Sequence, residues 1–133
     1  MAGSVTRAQC VEDALRDNLL AEMASLNPER FVPFVIMHEF EGLLFSDCAA
    51  FSRGISRPDL EPHFRHIRDQ FLTPEEINDS PVSAPSKRVE ALVPGYQKPL
   101  LGTLAVLEIG LTQIRAQCPH FNAWLAQLEF LAG

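Results

Sequence analysis

His38-Glu39-Phe40-Glu41 gathers one imidazole and two carboxylates within four residues. On a helix, residues three apart share a face, so His38 and Glu41 would look the same way while Glu39 points elsewhere. An imidazole and a carboxylate so placed can share a divalent ion or act as a base and its orienter. The plainer alternative is a helix start, with Glu39 and Glu41 answering the positive end of the dipole and His38 hydrogen-bonded and half-buried. Spacing alone favours the plainer alternative. The motif is not that of a zinc protease, because Gly42 stands where His-Glu-x-x-His needs its second imidazole.

Ser86, Lys87 and Arg88 form a second cluster, directly after Ala84-Pro85 at an expected helix start. Free N–H groups and the dipole favour an anion there, whereas basic side chains oppose the dipole. A negative group nearby would account for them, either a phosphate or Glu39 and Glu41 themselves. Tyr96 and Lys98 flank the Pro94-Gly95 turn and can close over the same region. No glycine-rich phosphate loop and no Gly-x-Ser-x-Gly elbow accompanies these residues. His120, at the start of the last helix, reads as a surface or capping residue.

The elements that must position these groups are largely helical. Thr6-Arg-Ala-Gln9 has the pattern of a capping box, and Ala8, Val11, Leu15, Leu19, Met23 and Leu26 follow at helical spacing. Arg7, Glu12, Asp13, Arg16, Asp17 and Glu22 are then its solvated face. Residues 31–37 read as the one convincing strand, apolar on both faces, running straight into a helix at Phe40. A lone strand cannot be stable, so its partners are expected from another copy or from a missing part of the domain.

Downstream, Ser46 or Asp47 caps a helix ending near Gly54, and Asp59 caps one carrying the stripe Leu60, Phe64, Ile67 and Phe71. Arg57, His63, Arg65, His66 and Arg68 lie off that stripe, as a solvated face or a phosphate-contacting patch. Thr73-Pro-Glu-Glu76 marks a short helix, and residues 79–85 a loop. Lys98-Pro99 opens a helix with Leu101, Leu104, Ala105, Leu107 and Ile109 on its apolar face, closed by Gly110. Leu111–Gln117 reads as a turn, and Pro119 opens the last helix. The expected class is therefore α/β, predominantly helical, with six or so helices.

The chain has 133 residues, 47% of them hydrophobic and 21% charged, the make-up of one soluble domain. Residues 1–5 read as a frayed start or a cloning remnant. No apolar run reaches the ~20 residues that span a bilayer, and no signal-peptide pattern is present, so a cytoplasmic protein is expected. Three unpaired cysteines argue against a disulfide framework or a structural zinc, and are expected to be buried or half-buried. A net charge of −6 works against generic binding to nucleic acid and leaves room only for a local basic patch.

Several ordered motifs together resemble a known family. They are His38-Glu-Phe-Glu-Gly-Leu-Leu-Phe-Ser-Asp47, Thr73-Pro-Glu-Glu-Ile-Asn-Asp79, Ala84-Pro-Ser-Lys-Arg88, Pro94-Gly-Tyr96, Ile109-Gly-Leu111 and Cys118-Pro-His-Phe-Asn122. Over about residues 7–130 the chain resembles the bacterial domain-of-unknown-function family forty-two seventy-six. The resemblance implies the C-terminal half of a Toprim-like α/β domain whose N-terminal acidic motifs this chain lacks. It implies Mg²⁺-dependent phosphoryl transfer on nucleic acid in a complete protein, with Glu39 and Glu41 near the metal. His38 would assist, Ser86, Lys87, Arg88 and Lys98 would contact phosphate, and the chain alone would be inactive. The alternative is a non-catalytic module that docks an ATPase partner or forms a homodimer through an apolar patch along residues 31–37.

Overall fold

A computed structural model describes residues 3–36, 39–77 and 84–133, together with the backbone of the first helix from Ser4. Among the described residues, seven α-helices run in order: α1 (Ser4–Glu22), α2 (Cys48–Gly54), α3 (Glu61–Arg68), α4 (Pro85–Leu92), α5 (Thr103–Ile109), α6 (Leu111–Gln117) and α7 (Pro119–Ala132). Short 3-10 helices lie at Pro28–Arg30, Phe40–Ser46, Pro58–Leu60 and Pro74–Glu76, and a π turn, Lys98–Gly102, leads into α5.

The core is built around three phenylalanines. Phe51 and Phe64 stack at 4.2 Å between ring centroids, and Phe45 meets both edge-on at 5.4 and 5.7 Å. All three are buried, as are Leu44, Leu60, Ile67, Ile77 and Val89. The expected stripe on α3 thus delivers Leu60, Phe64 and Ile67 inward, with Phe71 half-buried. Asp47 caps α2 by accepting from the Ala50 amide at 3.0 Å, as its position before an apolar turn predicts. Asp59 does not cap α3; its carboxylate is taken by Arg57 two residues earlier.

Among the described residues there is no β-strand, which corrects the strand expected at 31–37. Phe31–Ile36 is extended but lies on no ladder, and Met37 falls outside the described residues. Its polar backbone is met by side chains instead. The Val35 amide donates to Glu12 Oε2 at 2.9 Å, and the Trp124 indole donates to the Val32 carbonyl at 3.2 Å. Phe34 stacks on Trp124 at 4.6 Å and also touches His120 and Phe121. The segment is a strap held between α1 and α7.

That strap re-aims α1. The helix begins at Ser4 after Gly3, with no side-chain cap from Thr6, and ends at Glu22 rather than Leu26. Gln9 bonds Asp13 instead of the backbone. Glu12, expected in solvent, is 5% exposed, while Val11, Leu15 and Met23 of the supposed apolar face are exposed. A buried acceptor for the strap outweighs the apolar periodicity, because an unpaired buried amide costs about 1–3 kcal/mol.

Three further local readings shift. Thr73 stands before Pro74–Glu76 without a side-chain capping bond. Leu111–Gln117 is the helix α6, not a turn. On α5, Ala105 and Ile109 are buried, whereas Leu104 and Leu107 face water. All three cysteines are free as expected, Cys48 and Cys118 buried but Cys10 exposed.

Helices α2 and α5 approach so closely at Gly54 that a Cβ there would lie 2.8 Å from the Ala105 Cα and 3.0 Å from the Leu104 carbonyl oxygen. Those are backbone atoms and cannot swing aside. Gly54→Ala therefore loses more by overpacking, about 1–3 kcal/mol, than the fraction it gains in helix propensity. A urea melt of the variant is expected to show a lower midpoint at unchanged slope.

Candidate functional site

The 3-10 helix Phe40–Ser46 carries Glu41 into the interior, where its side chain is fully buried, as are Gly42 through Ser46. Gly42 allows this depth, because a Cβ there would stand 3.0 Å from the Pro74 carbonyl oxygen. Among the described residues, neither carboxylate oxygen of Glu41 has a hydrogen-bond donor. The charge that faces them is the Lys98 ammonium, 3.3 Å from Glu41 Oε2 and 3.9 Å from Glu39 Oε2.

Glu39 joins Glu41 rather than pointing elsewhere, which corrects the helical expectation. It precedes the helix with extended backbone, φ −133° and ψ 154°, so helical spacing does not fix where it points. Ser86, at the second position of α4, donates to Glu39 Oε1 at 2.9 Å. Of the Ser86–Arg88 cluster it is the Ser86 hydroxyl that meets the acidic pair, while the Lys87 ammonium pairs with Glu90. Lys98 sits at the start of the π turn, a geometry that recurs at functional sites.

Tyr96 completes the cluster. Its hydroxyl is buried without a hydrogen-bond partner among the described residues and stands over Gly102, where a Cβ would come within 3.2 Å of it. Burial, and then the Glu41 charge, pushes the phenol from the ordinary 10 up to about 12. The structure therefore brings together Glu39, Glu41, Ser86, Tyr96 and Lys98.

Lys87 and Arg88 are placed otherwise. Lys87 pairs with Glu90 at 3.2 Å, and the Arg88 guanidinium lies over the Phe71 ring at 5.5 Å. His38 and residues 78–83 fall outside the described residues. Among the described residues no three His, Cys, Asp or Glu side chains converge as a metal cluster. Among the described residues, two carboxylates are what the site offers an ion.

A second polar cluster escaped the sequence reading. His120 is not a surface residue: its Nε2 lies 2.8 Å from Glu12 Oε2, and both side chains are largely buried. Glu75 accepts from the His120 and Phe121 amides at 2.9 and 3.0 Å, capping α7 from 45 residues away. Burial lifts the Glu75 carboxyl above its usual range, against the pull of those two amides. The acid run at Glu75-Glu76 was visible in the sequence, but nothing there links it to Pro119.

The family model for the domain of unknown function DUF4276 matches residues 4–129. The chain therefore belongs to that family. No curated protein and no solved structure matches it. Among the described residues, no helix is long and apolar enough to cross a membrane.

The cluster makes a prediction at high pH. Burial raises the Cys48 and Cys118 thiols from 9.0 to about 11, and Tyr96 rises from 10 to about 12. Between each pair of values the folded state holds a proton that the unfolded chain has released, so stability falls as pH rises. The urea midpoint is expected to decline from about pH 9 upward, and Tyr96→Phe should remove the part of that decline lying between 10 and 12. Tyr96 is the single tyrosine, so phenolate absorbance reports it directly, and Glu41→Gln should lower its midpoint.

Proposed function

We propose, from this family membership and this cluster, that the chain supplies one half of a Mg²⁺-dependent phosphoryl-transfer site of Toprim-like type, acting on nucleic acid and inactive alone. The observation that carries the reading is the Glu41 carboxylate, fully buried, with neither oxygen hydrogen-bonded among the described residues, beside a second carboxylate and one lysine. Burying a carboxylate costs several kcal/mol unless it is well paired, and a metal-binding acid is one reason to bear that cost.

Glu39 and Glu41 would hold the ion. Mg²⁺ takes six oxygens in a near-octahedral shell, more than two carboxylates provide, so the rest of the shell comes from water and the missing acidic half. When bound, the ion neutralises charge on the phosphoryl oxygens. Ser86 keeps Glu39 turned toward the site by its hydrogen bond. Lys98, no longer needed as counter-charge, is on hand for a phosphate oxygen. Tyr96 keeps its proton near neutral pH and donates rather than repels. Lys87 and Arg88, which the resemblance also assigns to phosphate, take no part in this version of the site.

A non-catalytic module remains the second reading, favoured by Leu100, Leu104, Leu107 and Leu111. They are 56%, 43%, 73% and 55% exposed, the first three at helical spacing from the π turn into α5 and Leu111 beyond the break at Gly110. That row, rather than the half-buried strap at 31–36, is where an ATPase partner or a second copy would dock.

The two readings separate in a thermal-melt titration with Mg²⁺ and Mn²⁺. Lys98→Met leaves Glu41 without its cation and should cost about 1–3 kcal/mol, less than a fully buried pair because Lys98 is half-exposed. Divalent ions should then restore Lys98→Met more than they stabilise wild type, and Glu41→Gln should abolish both responses. A Lys98→Met variant that ions leave unmoved would end the metal reading. Nuclease activity is expected only once the missing acidic half is added.

A further inference from the structure

The π turn Lys98–Gly102 is anchored on both sides. At its head, the Lys98 ammonium lies 3.3 Å from Glu41 Oε2 and 3.9 Å from Glu39 Oε2. Past its tail, α5 is pressed so hard on α2 that a Cβ at Gly54 would lie 2.8 Å from the Ala105 Cα. A π turn closes its hydrogen bonds over one residue more than an α-helix and marks a functional site or a bend. The local sequence does not demand it. Pro99 stands in the first turn, where an α-helix would accept it equally. The wider register therefore fits the span between two fixed points, one of them a single charge contact.

The turn also carries part of the exposed apolar face. Leu100, 56% exposed, rides on the turn itself, whereas Leu104 and Leu107 ride on α5, which buried Ala105 and Ile109 hold in place. A slip of one residue turns a side chain by roughly 100° about a helix axis. The register of the turn thus decides whether Leu100 lines up with Leu104 and Leu107.

We infer that Lys98 is the anchor of an ion-operated switch in this face. While its ammonium holds the buried pair, the turn keeps the π register. Once released, the turn relaxes toward an α register and swings Leu100 away from its present alignment. The natural trigger rests on the metal reading proposed above. The ammonium stands between the two carboxylate oxygens that a shared ion would use, so Lys98 has to leave when the pair binds metal. The apolar face then differs between the two states, and a partner that prefers one of them alters ion affinity by the same factor that ions alter its own.

An environment-sensitive fluorophore on Leu100→Cys reads the turn, and the same label on Leu107→Cys is the control on α5. Both carry Cys10→Ser, because Cys10 is exposed while Cys48 and Cys118 are buried. With no ion added, Lys98→Met is expected to shift the emission at position 100 and leave position 107 unchanged, and Lys98→Arg should shift neither. Mg²⁺ or Mn²⁺ should reproduce the shift in the chain that keeps Lys98. Glu41→Gln relaxes the same contact without leaving a buried charge, so it should shift position 100 unaided, abolish the ion response and stand in if Lys98→Met does not fold. Circular dichroism verifies folding. The inference is overturned if the folded variants leave position 100 unmoved or move both labels alike. It is overturned too if ions stabilise the chain in a thermal melt without moving the label at 100. A shift in the variants with no ion response in label or melt upholds the anchor and removes the metal reading alone.

Discussion

A carboxylate taken wholly out of water, with one ammonium for company, is the constraint around which one end of this protein is arranged. Glu41 reaches that position because six consecutive residues, Glu41 through Ser46, are buried in a 3-10 helix that has almost no solvent side. Its neighbours answer it in different ways. Lys98 arrives at the head of a π turn, Glu39 is turned inward by extended backbone and held by Ser86, and Tyr96 keeps its proton beside the charge. The geometry resembles a charge-balanced latch more than a helix start with acids in its first turn.

The other end of the molecule follows a different rule. A strap with strand composition, lacking a sheet, must have its backbone groups met by side chains, and Glu12 and Trp124 do so from two helices. Glu75 then fixes the start of α7, and His120 ties α7 to α1 through Glu12. These bonds explain why α1 turns an acid inward and leaves Val11 and Leu15 in water. Polar satisfaction decided the orientation where hydrophobic periodicity pointed elsewhere.

Features set by neighbours in the chain were legible in the sequence. The Asp47 cap, the Leu60–Phe64–Ile67 stripe, the stop at Gly110 and the start at Pro119 all depend on local chemistry and stand where the residues put them. Lys98 closes over the acidic pair from the Pro94-Gly95 turn, as its place in the chain suggested, whereas Lys87, a cation expected to answer that pair, is matched by Glu90 instead. What could not be read was any bond between distant elements, such as Glu12 with His120 or Glu75 with the amides of α7. A β-branched run also says only that the chain is extended, and not whether a second extended segment lies beside it.

The burial of Glu41 sets stability against chemistry at a single atom pair. An apolar side chain of similar volume at position 41 would shed the desolvation cost and keep the packing, so folding selection alone has reason to remove the acid. A search for stabilised variants, run with no knowledge of activity, would find this position early. Read in reverse, the positions where such a search succeeds too easily form a map of what the molecule retains for reasons other than being folded.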